Sequence, residues 1–229
     1  MDINEIVSYI EMCKREHLSL QKGMNFNAGR GYSIVLMSRQ PNAPYKDEVR
    51  NSGCVLIYEG HDIPRSAGID PKTIDQQANL RSGKLTENGK FQKASDDFKS
   101  GVRPAEIVRV YEKIRDGIWS YNGAFDLTDC WIATSGSRQV FKFELKLREH
   151  QIEVGSSSTQ PFEHTRLIPT QVKLEVWKRD NGKCVECGSS DHLHFDHLIP
   201  FSKGGASITA ANVQLLCARH NLEKSDSIR

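Results

Sequence analysis

The chain contains 229 residues and has no run of about 18 consecutive apolar side chains, the length a membrane-spanning helix needs. Its first residues, Met1-Asp2-Ile3-Asn4-Glu5, show neither the basic start nor the apolar stretch of a secretory signal. These two absences lead us to expect a cytoplasmic protein with no membrane partner. An excess of one charge is also missing. The 31 Lys and Arg nearly balance 29 Asp and Glu, a net charge of +2, so whole-chain charge announces no nucleic acid. Cysteine is sparse, with six residues, and without a signal peptide a disulfide framework is not expected. There is no internal repeat. A hydrophobic content of 38% with 26% charged residues excludes a disordered chain and fits a globular one.

Several features stand out against this plain background. From Arg81 to Arg115 nine Lys and Arg face five Asp and Glu, a local excess that suits phosphates or an ordinary solvated surface. Apolar residues at Ile3, Ile6, Val7, Ile10 and Cys13 follow a helical period and predict a helix within residues 3–22. Tyr32–Met37, Cys54–Tyr58, Ile107–Tyr111 and Gln139–Leu147 read as strands, the last with clear alternation. Residues 73–82 read as a short helix capped by Thr73, residues 84–100 as a polar, basic segment, and residues 170–180 as a helix. Gly155-Ser-Ser-Ser-Thr-Gln-Pro161 has the composition of a linker.

The densest chemistry lies beyond that linker. Cys184-x-x-Cys187 and Cys217-x-x-His220 each offer two ligands from one tight turn, and together they form the S₃N set of a tetrahedral structural Zn²⁺. A metal explains how so few large apolar side chains hold a module together. The other cysteines, Cys13, Cys54 and Cys130, are scattered and are expected to be reduced. Asp196, His197, Asn212 and Asn221 are polar groups that the zinc does not need.

The stretches Cys184-Val-Glu-Cys187-Gly, Phe195-Asp-His-Leu-Ile-Pro-Phe-Ser-Lys-Gly-Gly205, Asn212-Val-Gln-Leu-Leu-Cys217 and His220-Asn-Leu-Glu-Lys224 resemble the His-Asn-His (HNH) endonuclease family. The resemblance covers roughly residues 170–226. It implies a ββα-metal fold in which His197 is the general base and Asp196 holds a catalytic Mg²⁺ or Mn²⁺. Asn212 would bond the loop that shapes the site. Asn221 stands where the family has its last histidine, as second ligand of the catalytic ion, and an amide oxygen there is a departure. Lys203 and Lys224 are candidate phosphate contacts. His194 alternates with Asp196 along the strand and, like His192, lies near the site.

A second resemblance covers about residues 25–150. Ala43-Pro-Tyr45-Lys-Asp-Glu-Val49, Leu56-Ile-Tyr58-Glu-Gly60, Asp75-Gln76, Asn79-Leu80, Tyr111–Phe125, Trp131 and Phe141–Leu145 resemble the SET- and RING-associated (SRA, or YDG) domain. That family reads modified cytosine by flipping it from the duplex. The resemblance implies Tyr45 and Tyr58 as the stacking pair, Asp47 or Glu48 as acceptor for the N4 amine, and Arg81 with the following lysines as phosphate contacts.

The expected fold is therefore α+β with two domains. An SRA/PUA-like curved β-barrel would be followed by a zinc-stabilised ββα-metal domain. The expected boundaries are an N-terminal helix at 1–24, the SRA-like domain at 25–152, a linker at 153–169 and the HNH domain at 170–229. The joint reading is a bacterial modification-dependent restriction endonuclease that acts on double-stranded DNA bearing 5-methylcytosine or 5-hydroxymethylcytosine. It would leave 5′-phosphate and 3′-hydroxyl ends, and one nuclease site per chain suggests a homodimer. An HNH nuclease insensitive to modification and a catalytically inactive DNA-binding protein remain alternatives.

Overall fold

The computed structural model describes residues 2–28, 31–64, 70–148, 167–199 and 209–224. The chain opens with strand β1 (Ile6–Ser8) and helix α1 (Tyr9–Glu16), so a helix lies within residues 3–22 as expected, but it is shorter and a strand precedes it. Ile6 and Val7 are both buried but enter different cores, and adjacent side chains reach opposite sides only on an extended backbone. Ser8 Oγ accepts from Glu11 N at 3.1 Å and starts α1, while His17 adopts a left-handed conformation and ends it. Ile10, counted on the apolar face, is 66% exposed.

Seven further strands build one sheet with β1: β2 (Met24–Asn25), β3 (Ser33–Met37), β4 (Glu48–Arg50), β5 (Val55–Glu59), β6 (Glu106–Arg115), β7 (Ile118–Ser135) and β8 (Arg138–Leu147). Their order is β2-β3-β6-β7-β8-β5-β4, with β1 paired to β7. Only β3 and β6 run parallel. The organising element is β7, 18 residues long. It pairs with β6 along one edge, and with β8 and then β1 along the other.

The expected curved β-barrel is corrected by this topology. The path ends at β2 and β4, and no pairing joins them among the described residues, so the sheet is open. Closure requires a continuous ladder between terminal strands. β2 offers two residues and β4 three, with Glu48 and Arg50 turned to solvent. Such short edges, charged at β4, protect an open sheet from further pairing.

Helix α2 (Glu87–Lys99) covers this sheet. Thr86 Oγ1 accepts from Gly89 N at 3.1 Å, and Phe91 packs against Phe26 and Phe143 with ring centroids 5.4 and 5.7 Å apart. The helix expected at 73–82 is reduced to one turn at Pro71–Thr73, capped by Asp70 rather than Thr73. Residues 84–100 hide their helix because little more than Phe91 and Ala94 faces the core.

The C-terminal part comprises α3 (Thr170–Arg179), β9 (Leu193–His197), β10 (Val213–Cys217) and α4 (Ala218–Lys224). β9 and β10 form an antiparallel ribbon, and α4 follows β10 directly. Its core of Val172, Val176, Leu193, Phe195, Val213 and Leu215 also takes in Ile6 and Ile114 from the large sheet. Leu167 and Ile168, at the end of the expected linker, are buried, and residues 153–166 lie outside the described residues.

Polar contacts join the two parts. Phe195 N donates to Asn4 O at 3.1 Å, while Asn4 N donates to Tyr121 O at 2.8 Å. Lys173 of α3 and Glu112 of β6 form a fully buried ion pair at 3.1 Å. Asn122 bridges it, accepting from Lys173 at 2.7 Å and donating to Glu112 at 3.0 Å, and the Thr170 hydroxyl also donates to Glu112. Burial alone would raise the Glu112 pKa, but Lys173, Thr170 and Asn122 hold it below the usual carboxylate value. A charge pair satisfied this completely fixes α3 in one position on the sheet.

Candidate functional site

The turn that carries Cys184 and Cys187 closes through Gly188 N donating to Cys184 O and Cys184 N donating to Ser189 O, both at 2.8 Å. Gly188 has a left-handed φ of 71°, which favours glycine. Cys217 ends β10, and His220 sits in the first turn of α4, so sheet and helix each present one ligand. The four ligand atoms lie within 4.8 Å of one another. His220 Nδ1 is 3.3 Å from Cys184 Sγ and 3.4 Å from Cys217 Sγ, and Cys187 Sγ is 3.9 Å from Cys217 Sγ. A tetrahedron with Zn–S bonds of about 2.3 Å has S–S edges of about 3.8 Å, so this donor set fits a structural zinc. Burial opposes ionisation of Cys184, yet backbone N–H groups of Cys217, Cys187 and Glu186, with the His220 ring, bring its thiol down to about 6. A thiolate is the ligand form.

The same hairpin places the remaining polar residues. Asp196 and His197 end β9, opposite Gln214 and Val213 of β10. Asp196 Oδ2 is 3.0 Å from Lys224 Nζ and accepts from Gln214 Nε2 at 3.4 Å. Lys224 is buried and also donates to the His197 carbonyl at 2.5 Å, so its ammonium is turned inward. Burial lowers the His197 pKa, with Asp196 opposing and Lys224 assisting, which favours the neutral imidazole. Asn212 holds the chain after β9: its Oδ1 accepts from Ile199 N at 2.9 Å and its Nδ2 donates to Ile199 O at 3.3 Å. Asn221 is half-buried on α4, one turn before Lys224, and residues three apart share a helix face. His194 is buried beside its bridge partner Glu5, and His192 is exposed. Among the described residues, the Cys–His cluster is the one group of three or more His, Cys, Asp or Glu ligands close enough to hold a metal.

A cavity of about 510 Å³ opens beside the large sheet. Tyr45, Asp47, His61, Lys113 and Trp119 contribute to its wall. Asp47 is held there by two backbone donors, Glu59 N at 3.0 Å and Ser38 N at 3.3 Å. Burial raises its carboxyl to about 7 against these bonds and the nearby Lys142. Glu48 instead lies on the outer edge, exposed and paired with Arg50 at 2.6 Å. Tyr58 is fully buried behind the wall, its hydroxyl donating to Gly23 O or Leu36 O at 3.1 and 3.3 Å. Arg81 is exposed before α2, and Lys203 lies outside the described residues.

Sequence reasoning missed His61, Trp119 and Lys113. His61 directly follows Gly60 in a stretch already quoted and carries the one available signal, a ring beside the expected stacking residue. The Trp119 indole N–H is buried with no acceptor among the described residues.

Residues 184–227 match the HNH endonuclease family. No curated protein is similar to the chain in sequence. Among solved structures, the chain is similar to the SUVH5 SRA domain in complex with hemimethylated CG DNA, at 22% identity over 68% of this chain and 94% of that one, with a TM-score of 0.46. The SUVH5 SRA domain bound to fully hydroxymethylated CG DNA gives 21% identity over 66% and 90%, with a TM-score of 0.45. The modification-dependent TagI restriction endonuclease gives 16% identity over 97% of this chain and 76% of that one, with a TM-score of 0.43. Residues 184–227 thus carry the HNH endonuclease pattern, and about two thirds of the chain is similar to SRA domains of solved structure.

Proposed function

We propose that this protein is a modification-dependent DNA endonuclease, with a reader at residues 25–152 and a nuclease at residues 170–229. The observation that carries the reading is the Asp196–His197 pair, set on a β hairpin beside a Cys₃His cluster within the segment that matches the HNH endonuclease family. The cavity around Tyr45 and Asp47 adds target choice. A carboxylate accepts from the N4 amine of cytosine, and an aromatic ring supports a flipped base.

In this reading His197 is the general base. Its neutral imidazole takes a proton from the water that attacks the phosphodiester, and the products are a 5′-phosphate and a 3′-hydroxyl. Asn212 fixes the chain just beyond His197. Lys224 holds Asp196 Oδ2 and the His197 carbonyl, which sets the direction of both groups. Asp196 and Asn221 are hard oxygen donors of the kind that would hold Mg²⁺ or Mn²⁺. Such an ion, when bound, neutralises charge on the phosphate and on the leaving oxygen. Cutting both strands calls for a second copy of the site, supplied by a homodimer.

Matched duplexes carrying cytosine, 5-methylcytosine or 5-hydroxymethylcytosine, incubated with Mg²⁺ or Mn²⁺, test the proposal. The modified duplexes are expected to be cut and the unmodified one spared. Equal cutting of all three removes the reader from the proposal, and binding without cutting in either metal removes the nuclease. Tyr45→Ala is expected to abolish the preference while zinc content, measured by metal analysis, stays unchanged.

The Asp47 carboxyl adds a pH signature. Ionisation creates a stronger acceptor, so affinity for a modified duplex should rise between about pH 6 and 8, and Asp47→Asn should flatten the profile. The sign for folding is opposite. A carboxyl whose pKa moves from 3.8 up to about 7 contributes stability at low pH that is lost as pH rises through that upper value. Parallel binding and melting titrations separate the two effects. An affinity that falls over this range contradicts the assignment of Asp47.

A further inference from the structure

The space between Tyr45 and Tyr58 already holds a ring. The His61 imidazole lies 4.8 Å from the Tyr45 ring and 7° from parallel with it. Its centroid is 6.1 Å from that of Tyr58, and its Nε2 is 3.0 Å from the Tyr58 hydroxyl. Stacked rings sit with centroids from about 4.5 Å apart, so a base and the imidazole cannot share this face of Tyr45. Lys72 Nζ stands 4.2 Å from the centroid of the same tyrosine and is held by Asp62 at 2.8 Å. Tyr45 is therefore occupied before any DNA arrives.

The backbone of His61 is pinned. Asn88 Oδ1 accepts from His61 N and Asn88 Nδ2 donates to His61 O, each at 2.8 Å. On one side the ring has no slack, since a Cβ at Gly23 would lie 2.5 Å from it. On another it borders the cavity of about 510 Å³. The ring can leave Tyr45 only by side-chain rotation, and the cavity is where it has room to go.

We infer that His61 is a gating residue whose ring keeps the base's place on Tyr45, so that a flipped base is admitted only when it outcompetes the imidazole. This inference rests on the reader function proposed above. The exchange is close to balanced. One flat stack replaces another, and the Tyr58 hydroxyl that loses Nε2 keeps the Gly23 and Leu36 carbonyls as acceptors. Burial draws the imidazole down to about 4, with Asp62 and Glu87 opposing and Lys72 assisting, so the ring competes as a neutral aromatic. The competitor lowers the affinity for every flipped base by one common factor and so sets the threshold a base must clear. Burying one methyl group is worth roughly a factor of four in affinity, enough to favour a methylated base over cytosine at a fixed threshold.

Equilibrium binding of unmodified and 5-methylcytosine duplexes, measured without divalent ion, tests the inference with wild-type protein, His61→Ala and His61→Phe. Loss of the competing stack in His61→Ala should tighten binding of both duplexes by a similar factor, roughly three- to tenfold, so that unmodified DNA is bound at concentrations where the wild-type protein holds mainly the methylated duplex. His61→Phe keeps a ring on Tyr45 and should leave both affinities near those of the wild-type protein. If His61→Ala loses its cooperative melting transition, His61→Asn serves, because it removes the aromatic face while retaining side-chain bulk. Equal weakening of both duplexes by a folded variant marks His61 as a structural wall and overturns the inference, as do unchanged affinities. A wild-type protein without preference overturns the reader function and this inference with it. A wild-type preference with no tightening of either duplex in the alanine variant overturns this inference alone.

Discussion

Withdrawing zinc from Cys184, Cys187, Cys217 and His220 is expected to unfold the C-terminal part while the large sheet stays folded. The apolar core of this part is small and borrows Ile6 and Ile114 from its neighbour. Structural zinc supplies about 10–16 kcal/mol in comparable small modules, more than such a core provides. The large sheet has its own core, from Met24 through Phe91 to Leu145, without any cluster residue. Cys217→Ser, or a strong chelator, should therefore expose α3, β9, β10 and α4 to limited proteolysis and leave fragments of the N-terminal sheet resistant. The buried pair would be lost with α3, and Glu112 would return to solvent rather than remain as an isolated buried charge. Mass spectrometry of the fragments reads the outcome directly. An unchanged protease map, with zinc shown to be absent, would mean that packing alone holds this part together.

His197→Ala is expected to reduce cleavage of a modified duplex about 10²- to 10⁴-fold, the range a positioned general base supplies. Binding of the duplex, zinc content and melting should hardly change. The side chain stands at the end of β9, and the contacts that shape the site there run through its backbone carbonyl to Lys224 and through Asn212 to Ile199. Single-turnover cleavage with enzyme in excess isolates the chemical step from product release. A loss below about tenfold would move the base elsewhere, and His194 and His192 are the neighbouring imidazoles to test next.

What was legible in the sequence depended on how local the determining contacts are. The zinc set could be read because Cys-x-x-Cys and Cys-x-x-His are each spanned by a single turn. Strands β3, β5, β6 and β8 and helix α3 announced themselves through short apolar patterns. Helix α2 did not, since one phenylalanine and one alanine carry most of its contact with the sheet. β1 looked helical because Ile3, Ile6, Val7 and Ile10 have helical spacing, yet Ile6 and Val7 answer to two different cores. The barrel expectation failed at the edges, where β2 offers two residues and β4 three and no pairing joins them among the described residues.

The sequence by itself determined the chemical inventory of the C-terminal part: the two ligand pairs of a Cys₃His set, with an Asp-His pair between them. Within each pair the residues are at most three positions apart, so spacing constrains them, whereas the tyrosine and aspartate of the proposed base pocket came from the resemblance to the SRA domain. Only the tertiary structure decided how the inventory is deployed. It selected Asp47 over Glu48 for the cavity wall, turned Lys224 inward onto Asp196, locked α3 to β6 through Lys173 and Glu112, and laid His61 on Tyr45. Those choices depend on partners from 9 to 61 positions away, joined by burial and by hydrogen bonds that form only when separate strands and helices pack together.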